Sequence, residues 1–143
     1  MDKKLIESVE LTPLKQFEVE GGNVFHALKE SDSSYLGFGE AYFSFIESNS
    51  IKAWKRHKKM TLNLVVPIGE VKFVVFDDQN IEFRLEILSQ ENYNRLTVPP
   101  GLWLGFMGLS KEKSMLLNVA DLEHDPNEVD RLTLEEIEFN WRR

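Results

Sequence analysis

The sequence contains no cysteine, which excludes a disulfide framework, a thiolate metal site and a thiol nucleophile together. Histidine is scarce: His26, His57 and His124 are the three in the chain, too far apart for an HxH or HExxH metal motif. No glycine-rich phosphate loop opens a helix and no GxSxG elbow occurs, so kinase and hydrolase templates do not apply. The expectation is a protein without metal or cofactor. Long apolar runs are also missing. The start, MDKKLIESVELTPLKQF, is too polar for a signal sequence or a membrane span, and the expected location is cytoplasmic with no membrane contact. Positive charge is in deficit, with 17 Lys and Arg against 24 Asp and Glu and a formal net charge of −7. That balance disfavours a general binder of nucleic acid or anionic membranes.

What is present fits one globular domain over residues 1–143, with 42% hydrophobic and 29% charged residues and enough length to bury a core without staples. Period-two alternation dominates the middle of the chain and marks half-buried strands. The clearest case is Ile81, Phe83, Leu85 and Ile87 alternating with Glu82, Arg84 and Glu86; it predicts four apolar side chains in the core and three charges in water. Turn chemistry falls between such runs, at Gly21-Gly22, Ser48-Asn49-Ser50, Pro67 to Gly69, Asp77 to Asn80 and Pro99-Pro100-Gly101. Short strands at this spacing predict an all-β protein, an antiparallel sandwich or barrel. The best short helix candidate is Leu134 to Phe139, which Thr133 would cap; an extended tail is the alternative.

One segment breaks the acidic balance. Lys52, Lys55, Arg56, Lys58 and Lys59 lie together with His57, and no acid interrupts them. If the segment is extended, Lys52, Trp54, Arg56 and Lys58 share one face, and Ala53, Lys55, His57 and Lys59 the other. A row of cations against apolar walls requires an anionic ligand or acids from another strand. The other reading is a solvated edge strand whose lysines discourage aggregation. Further along, Pro99-Pro100-Gly101 predicts a tight turn into a strand that carries Trp103, whose ring either packs in the core or stacks on a base or sugar. His124 sits among Asp121, Glu123 and Asp125, as a general acid or base would, or as a surface histidine in a polar turn. His26 reads as structural or surface.

The stretches GNVFHALKE (22–30), GEAYFSFI (39–46), IKAWKRHKKMTLNLVVPIGEVKFVVFDD (51–78), YNRLTVPPGLWLGF (93–106) and HDPNEVDRL (124–132) resemble, in that order, the cupin-type sugar-nucleotide enzymes related to dTDP-4-dehydrorhamnose 3,5-epimerase and the dTDP-sugar ketoisomerases. The resemblance implies a double-stranded β-helix, or cupin jelly roll, of two antiparallel sheets. It also implies a homodimer that binds a nucleotide sugar as its small-molecule partner in the barrel mouth, with no nucleic acid. The chemistry it implies is proton abstraction beside a C4 ketone, then reprotonation of the enolate. The family motif similar to IRGLH reads Ile51-Lys52-Ala53-Trp54-Lys55 here, so Lys55 stands in place of the histidine base and Lys52 in place of the arginine. The PPG-x-x-H-G-F turn has Leu104 for its histidine, and Leu122 or His124 stands where a tyrosine acid is usual. Of the H-x-H pair typical of ketoisomerases, the second member survives as His57. The resulting expectation assigns His57 as the titrating base, Lys55 as the charge that meets an enolate or phosphate, and His124 as the proton donor. Lys52, Trp54, Arg56, Lys59 and Trp103 are expected to bind substrate. The alternative is a non-catalytic cupin that binds a nucleotide sugar or another anionic glycoside.

Overall fold

The computed structural model describes residues 3–142; Met1, Asp2 and Arg143, part of the single-domain expectation, lie outside the described residues. The strands are β1 (Glu10–Pro13), β2 (Gln16–Phe17), β3 (Val24–Phe25), β4 (Glu40–Ile46), β5 (Ile51–His57) and β6 (Leu62–Ile68), then β7 (Glu70–Asp77), β8 (Glu82–Ser89), β9 (Asn94–Val98), β10 (Trp103–Gly108), β11 (Ser114–Ala120) and β12 (Val129–Arg131). They form two five-stranded sheets, ordered β1-β9-β6-β11-β4 and β12-β5-β10-β7-β8, plus a small β2-β3 ribbon. Every named strand pairing is antiparallel. This is the double-sheet jelly roll that the alternation and the resemblance predict.

The core lies between the sheets, where Val66, Val71, Phe73, Val75, Leu96 and Leu116 are buried. A second cluster covers the outer face of the second sheet. There Trp54, Val74, Trp103 and Met107 meet Ile137 and Trp141 from the C-terminal segment, and the buried Lys72 donates its Nζ to the Trp141 carbonyl at 2.8 Å. With both faces covered, β7 has buried residues on both, and its sequence runs apolar rather than alternating. Leu134 to Phe139 is not an α-helix. A 3₁₀ turn at Leu134–Glu136 gives way to extended chain, and Ile137, Phe139 and Trp141 then pack against the sheet at the two-residue spacing of extended backbone.

The alternation in β8 resolves opposite to expectation. Glu82, Arg84 and Glu86 pair with Asp77, Val75 and Phe73 and share their inward-facing side, whereas Phe83 and Leu85 pair with Phe76 and Val74 on the outer face. Phe83 is 39% and Ile81 73% exposed. At this sheet edge the N-terminal segment covers the charged side: Lys4 pairs with Glu82, and Arg84 donates to the Val9 carbonyl at 2.8 Å. Phe83 instead stacks on Phe76 at 4.5 Å.

The ladder between β5 and β10 is interrupted. Lys55 and Arg56 pair with Leu104 and Trp103, but Lys52 pairs with Phe106, so Ala53 and Trp54 together oppose Gly105. An extra residue on one strand reverses the inward-outward phase beyond it. Lys52 and Lys55, three apart in sequence, therefore share a face with His57, and Trp54 and Arg56 point the other way. The expected grouping of Lys52 with Trp54 and Arg56 is corrected by this bulge. Gly105 is fitted to it, since a Cβ there would stand 2.6 Å from the Ala53 Cβ and 3.0 Å from the Trp141 ring. Gly105→Ala is expected to lower stability by about 1–3 kcal/mol, the usual cost of overpacking. Adding Ala53→Gly should restore part of it in thermal denaturation; full stability of the single variant would show that the bulge is not packed this way.

Candidate active site

Strand alternation and the bulge direct side chains from both sheets into one cavity of about 490 Å³. The second sheet contributes Lys52, Lys55 and His57 from β5, Leu104 and Phe106 from β10 and Arg131 from β12; the first contributes Glu40, Tyr42 and Ser44 from β4, Leu62 and Leu64 from β6, and Leu116 and Asn118 from β11. His124 reaches it from the loop before β12. The cavity thus has aliphatic walls and a polar rim between the sheet-edge strands β4 and β12. Ligand sites are commonly built this way.

His57 has a fixed partner. Its Nδ1 meets a carboxylate oxygen of Glu128, and the two side chains are 13% and 6% exposed. The other Glu128 oxygen accepts backbone N–H groups from Lys58, Lys59 and Met60 at 3.1, 3.0 and 3.2 Å. Burial pushes the Glu128 carboxyl up, but the His57 bond and the amides of Lys59 and Met60 outweigh it and hold the group below its ordinary value. A carboxylate at Nδ1 fixes the orientation of the ring, and in a neutral imidazole so held the proton sits on Nδ1 and the lone pair on Nε2. That is the arrangement of an oriented general base.

The cations of the cavity are treated differently from those outside it. Lys52 donates Nζ to the Phe45 carbonyl at 2.8 Å. Lys55 lies directly opposite Arg131 across the ladder. Burial first, then the positive charges of Arg131 and Lys52, lower the Lys55 pKa. Among the described residues neither Lys55 nor Arg131 has a side-chain ion pair or hydrogen bond. Glu40, the one carboxylate among the described lining residues, accepts the backbone N–H of His124. Tyr42 Oη accepts from Asn118 Nδ2 at 3.1 Å.

Lys52, Lys55, His57 and His124, all expected at the site, are therefore brought to one cavity. Arg56, Lys59 and Trp103 are not among its lining residues. Arg56 is satisfied on the other face, with Asp78 and Asp130 each at 3.0 Å, and lies 4.5 Å above the Trp103 ring. Trp103 pairs across the ladder with Arg56 and Phe76, is 5% exposed and donates to Asp78 at 3.3 Å; the cavity position belongs to its neighbour Leu104. Lys59 lies past the end of β5 and is exposed. Trp54 borders the cavity, but its ring is 1% exposed and packs on Trp141 at 5.4 Å, so no ring face is open to a ligand. Sequence reasoning missed Glu128, Arg131, Tyr42 and Glu40. The β4 alternation held the signal for two of them, because Glu40, Tyr42 and Ser44 alternate with Ala41, Phe43 and Phe45. Glu128 gave none, since 71 residues separate it from His57. Among the described residues no group of His, Asp and Glu is placed to hold a metal ion.

No protein-family model matches the sequence. Among solved structures the chain is similar to a dTDP-sugar isomerase from Desulfovibrio desulfuricans G20, at 31% identity over 99% of this chain and 96% of that one, with a TM-score of 0.91. A sugar 3,4-ketoisomerase from Thermoanaerobacterium thermosaccharolyticum, solved with TDP, has the same fold at 18% identity, covering 87% and 88% of the two chains with a TM-score of 0.74. Among curated proteins, the spore coat polysaccharide biosynthesis protein SpsL of Bacillus subtilis is 21% identical over 96% of this chain and 97% of its own length. A probable low-salt glycan biosynthesis epimerase of Haloferax volcanii is 24% identical over 63% of this chain, and the match spans 62% of that relative. With the cupin jelly roll in place and nearly a third of the residues shared along almost the whole of the Desulfovibrio protein, the chain belongs to the family of dTDP-sugar isomerases and epimerases.

Proposed function

We propose that the protein is a nucleotide-sugar epimerase or isomerase that acts on a dTDP-4-keto-6-deoxyhexose in surface polysaccharide biosynthesis, by proton transfer next to the C4 ketone. The observation that carries this reading is one cavity lined by His57, Lys52, Lys55 and Arg131, with Glu128 holding His57 through Nδ1 from outside the lining. In it, Lys52 and Arg131 bind the diphosphate, replacing water around an anion that the unpaired cations attract. His57 Nε2 takes the proton from the carbon beside the ketone, and the ion pair with Glu128 stabilises the imidazolium that results. Lys55 meets the charge that develops at the ketone oxygen. His124 and Tyr42 are the donors for reprotonation, one from the loop and one from β4. The family names of the relatives support the substrate class, and the polysaccharide role of SpsL supports the setting.

The second reading, a non-catalytic cupin, draws on Lys55 and Leu104 standing where the epimerases have histidines. Solvent-deuterium exchange into dTDP-4-keto-6-deoxyglucose, followed by NMR, separates the two. Washout at C3 or C5 is expected, abolished in His57→Ala and slowed in Glu128→Gln by up to the roughly 100–10,000-fold that general acid–base catalysis contributes. Binding of the nucleotide sugar with no exchange at either carbon would sink the enzyme reading.

We further propose that the protein is a homodimer joined along β4. This strand ends its sheet and turns Ala41, Phe43 and Phe45 outward with no charge among them, Phe43 being 60% and Phe45 53% exposed. Leu36 and Phe38 beside it are 62% and 58% exposed. An unprotected edge of this kind invites another strand, and a two-fold axis lets β4 pair antiparallel with its own copy. Phe43→Glu with Phe45→Glu is expected to halve the mass measured by light scattering; a wild-type monomer would refute the interface.

A further inference from the structure

We propose that Lys55 acts covalently, its amine condensing with the C4 ketone of the bound sugar to form an imine that activates the neighbouring carbon. This rests on the keto-sugar reading above and gives Lys55 a different part in it. Lys55 faces the cavity from the same side of β5 as His57, two residues and thus about 6.6 Å along the strand. A base at that spacing can reach a carbon next to one bound at the Lys55 Nζ. Lys52, Arg56 and Lys58 of the basic segment have oxygen partners, the Phe45 carbonyl, Asp78 with Asp130, and the Asn127 carbonyl, and Lys59, also without a side-chain partner among the described residues, lies outside the cavity. Lys55 has none among the described residues. Glu40, the one carboxylate among the described lining residues, is engaged with the His124 amide, and Glu128, outside the lining, with His57. Leu104 lies directly opposite on one side and Arg131 on the other, and neither accepts a proton. Partial burial and two cationic neighbours shift the Lys55 pKa down, toward the neutral amine, the form in which a lysine is a nucleophile toward carbonyls.

The step balances without oxidant or reductant. The Nζ lone pair forms a bond to C4 as the carbonyl electron pair moves to oxygen; proton transfer and loss of one water leave a protonated imine. His57 Nε2 removes the proton from C3 or C5, and its electron pair moves toward nitrogen to give an enamine. Reprotonation from Tyr42 or His124 restores the iminium. One water then returns the ketone and the free amine. The iminium nitrogen stores the electron pair that an enolate oxygen would otherwise carry. A donor at the Leu104 position, opposite Lys55 in the ladder, is then not required.

Incubating the full chain with dTDP-4-keto-6-deoxyglucose and sodium cyanoborohydride at neutral pH tests this. The expected product is a secondary amine on the Lys55 peptide, heavier by the sugar nucleotide less one oxygen. Lys55→Arg, which keeps the charge but cannot form the imine, is expected to give no adduct and to lose deuterium exchange at least about 100-fold, with dTDP affinity held within about threefold. Wild-type exchange should rise with pH through a midpoint below the ordinary lysine value of 10.5, a limb absent from Lys55→Arg, although Lys52, Arg131, His57, Glu40, His124 and Tyr42 all face the same space and Glu128 contacts His57 behind it. Wild-type exchange with no adduct, an adduct on Lys52 instead, or Lys55→Arg retaining exchange within about tenfold would overturn the imine and leave the isomerase reading intact. An adduct at Lys55 without exchange would support the imine and sink that reading. Neither adduct nor exchange would end both.

Discussion

One extra residue in β5 decides what this molecule presents to its interior. Were β5 regular, Lys52 would lie on the face opposite Lys55 and His57. The bulge at Ala53 and Trp54, seated against Gly105, gathers both lysines and the histidine on the cavity side and sends Trp54 and Arg56 to the outer cluster. The outer face then supplies what those two residues need, with Trp141 against Trp54 and Asp78 and Asp130 around Arg56. Packing on one side of the sheet thus fixes which side chains line the cavity on the other.

The electrostatics follow from that division. Outside the cavity, Arg56 and Lys58 find acids on neighbouring segments, which stabilise them without a ligand. Inside it, Lys55 and Arg131 oppose each other across the ladder, an arrangement that costs stability unless an anion fills the space. Glu128 does not offset them, because its carboxylate is held by three backbone amides and His57. That anchoring fixes the imidazole and the end of β5 through a single side chain from the 3₁₀ turn just before β12.

Much of the fold was legible in the sequence, because alternation and turn chemistry are local. The faces were less so. The usual assignment of the apolar set to the interior fails at β4 and β8, for different reasons. In β4 the interior is an open cavity rather than packed core, so Glu40, Tyr42 and Ser44 face in and Phe43 and Phe45 face out. In β8 the charges face in because Lys4 pairs with Glu82, Arg84 pairs with Glu86, and Arg84 also donates to the Val9 carbonyl at the sheet edge. The basic segment pointed correctly to the cavity through Lys52, Lys55 and His57, yet its phase could not be read without the partner strand, and so Arg56 and Trp103 were assigned to the wrong side. Glu128 and Arg131 were invisible for a related reason: their importance comes from pairing with β5, which the order of residues does not record.

The central claim is that β5 and β12 build an anion-binding cavity with their inward cations alone. Calorimetric titration of dTDP into the full chain tests it most directly, with Arg131→Met and Lys59→Met compared at low and high salt. The account predicts at least about tenfold weaker binding for Arg131→Met, as expected for losing a charge-assisted contact to phosphate, and unchanged binding for Lys59→Met. Equal losses from both variants, or an affinity indifferent to Arg131, would contradict it.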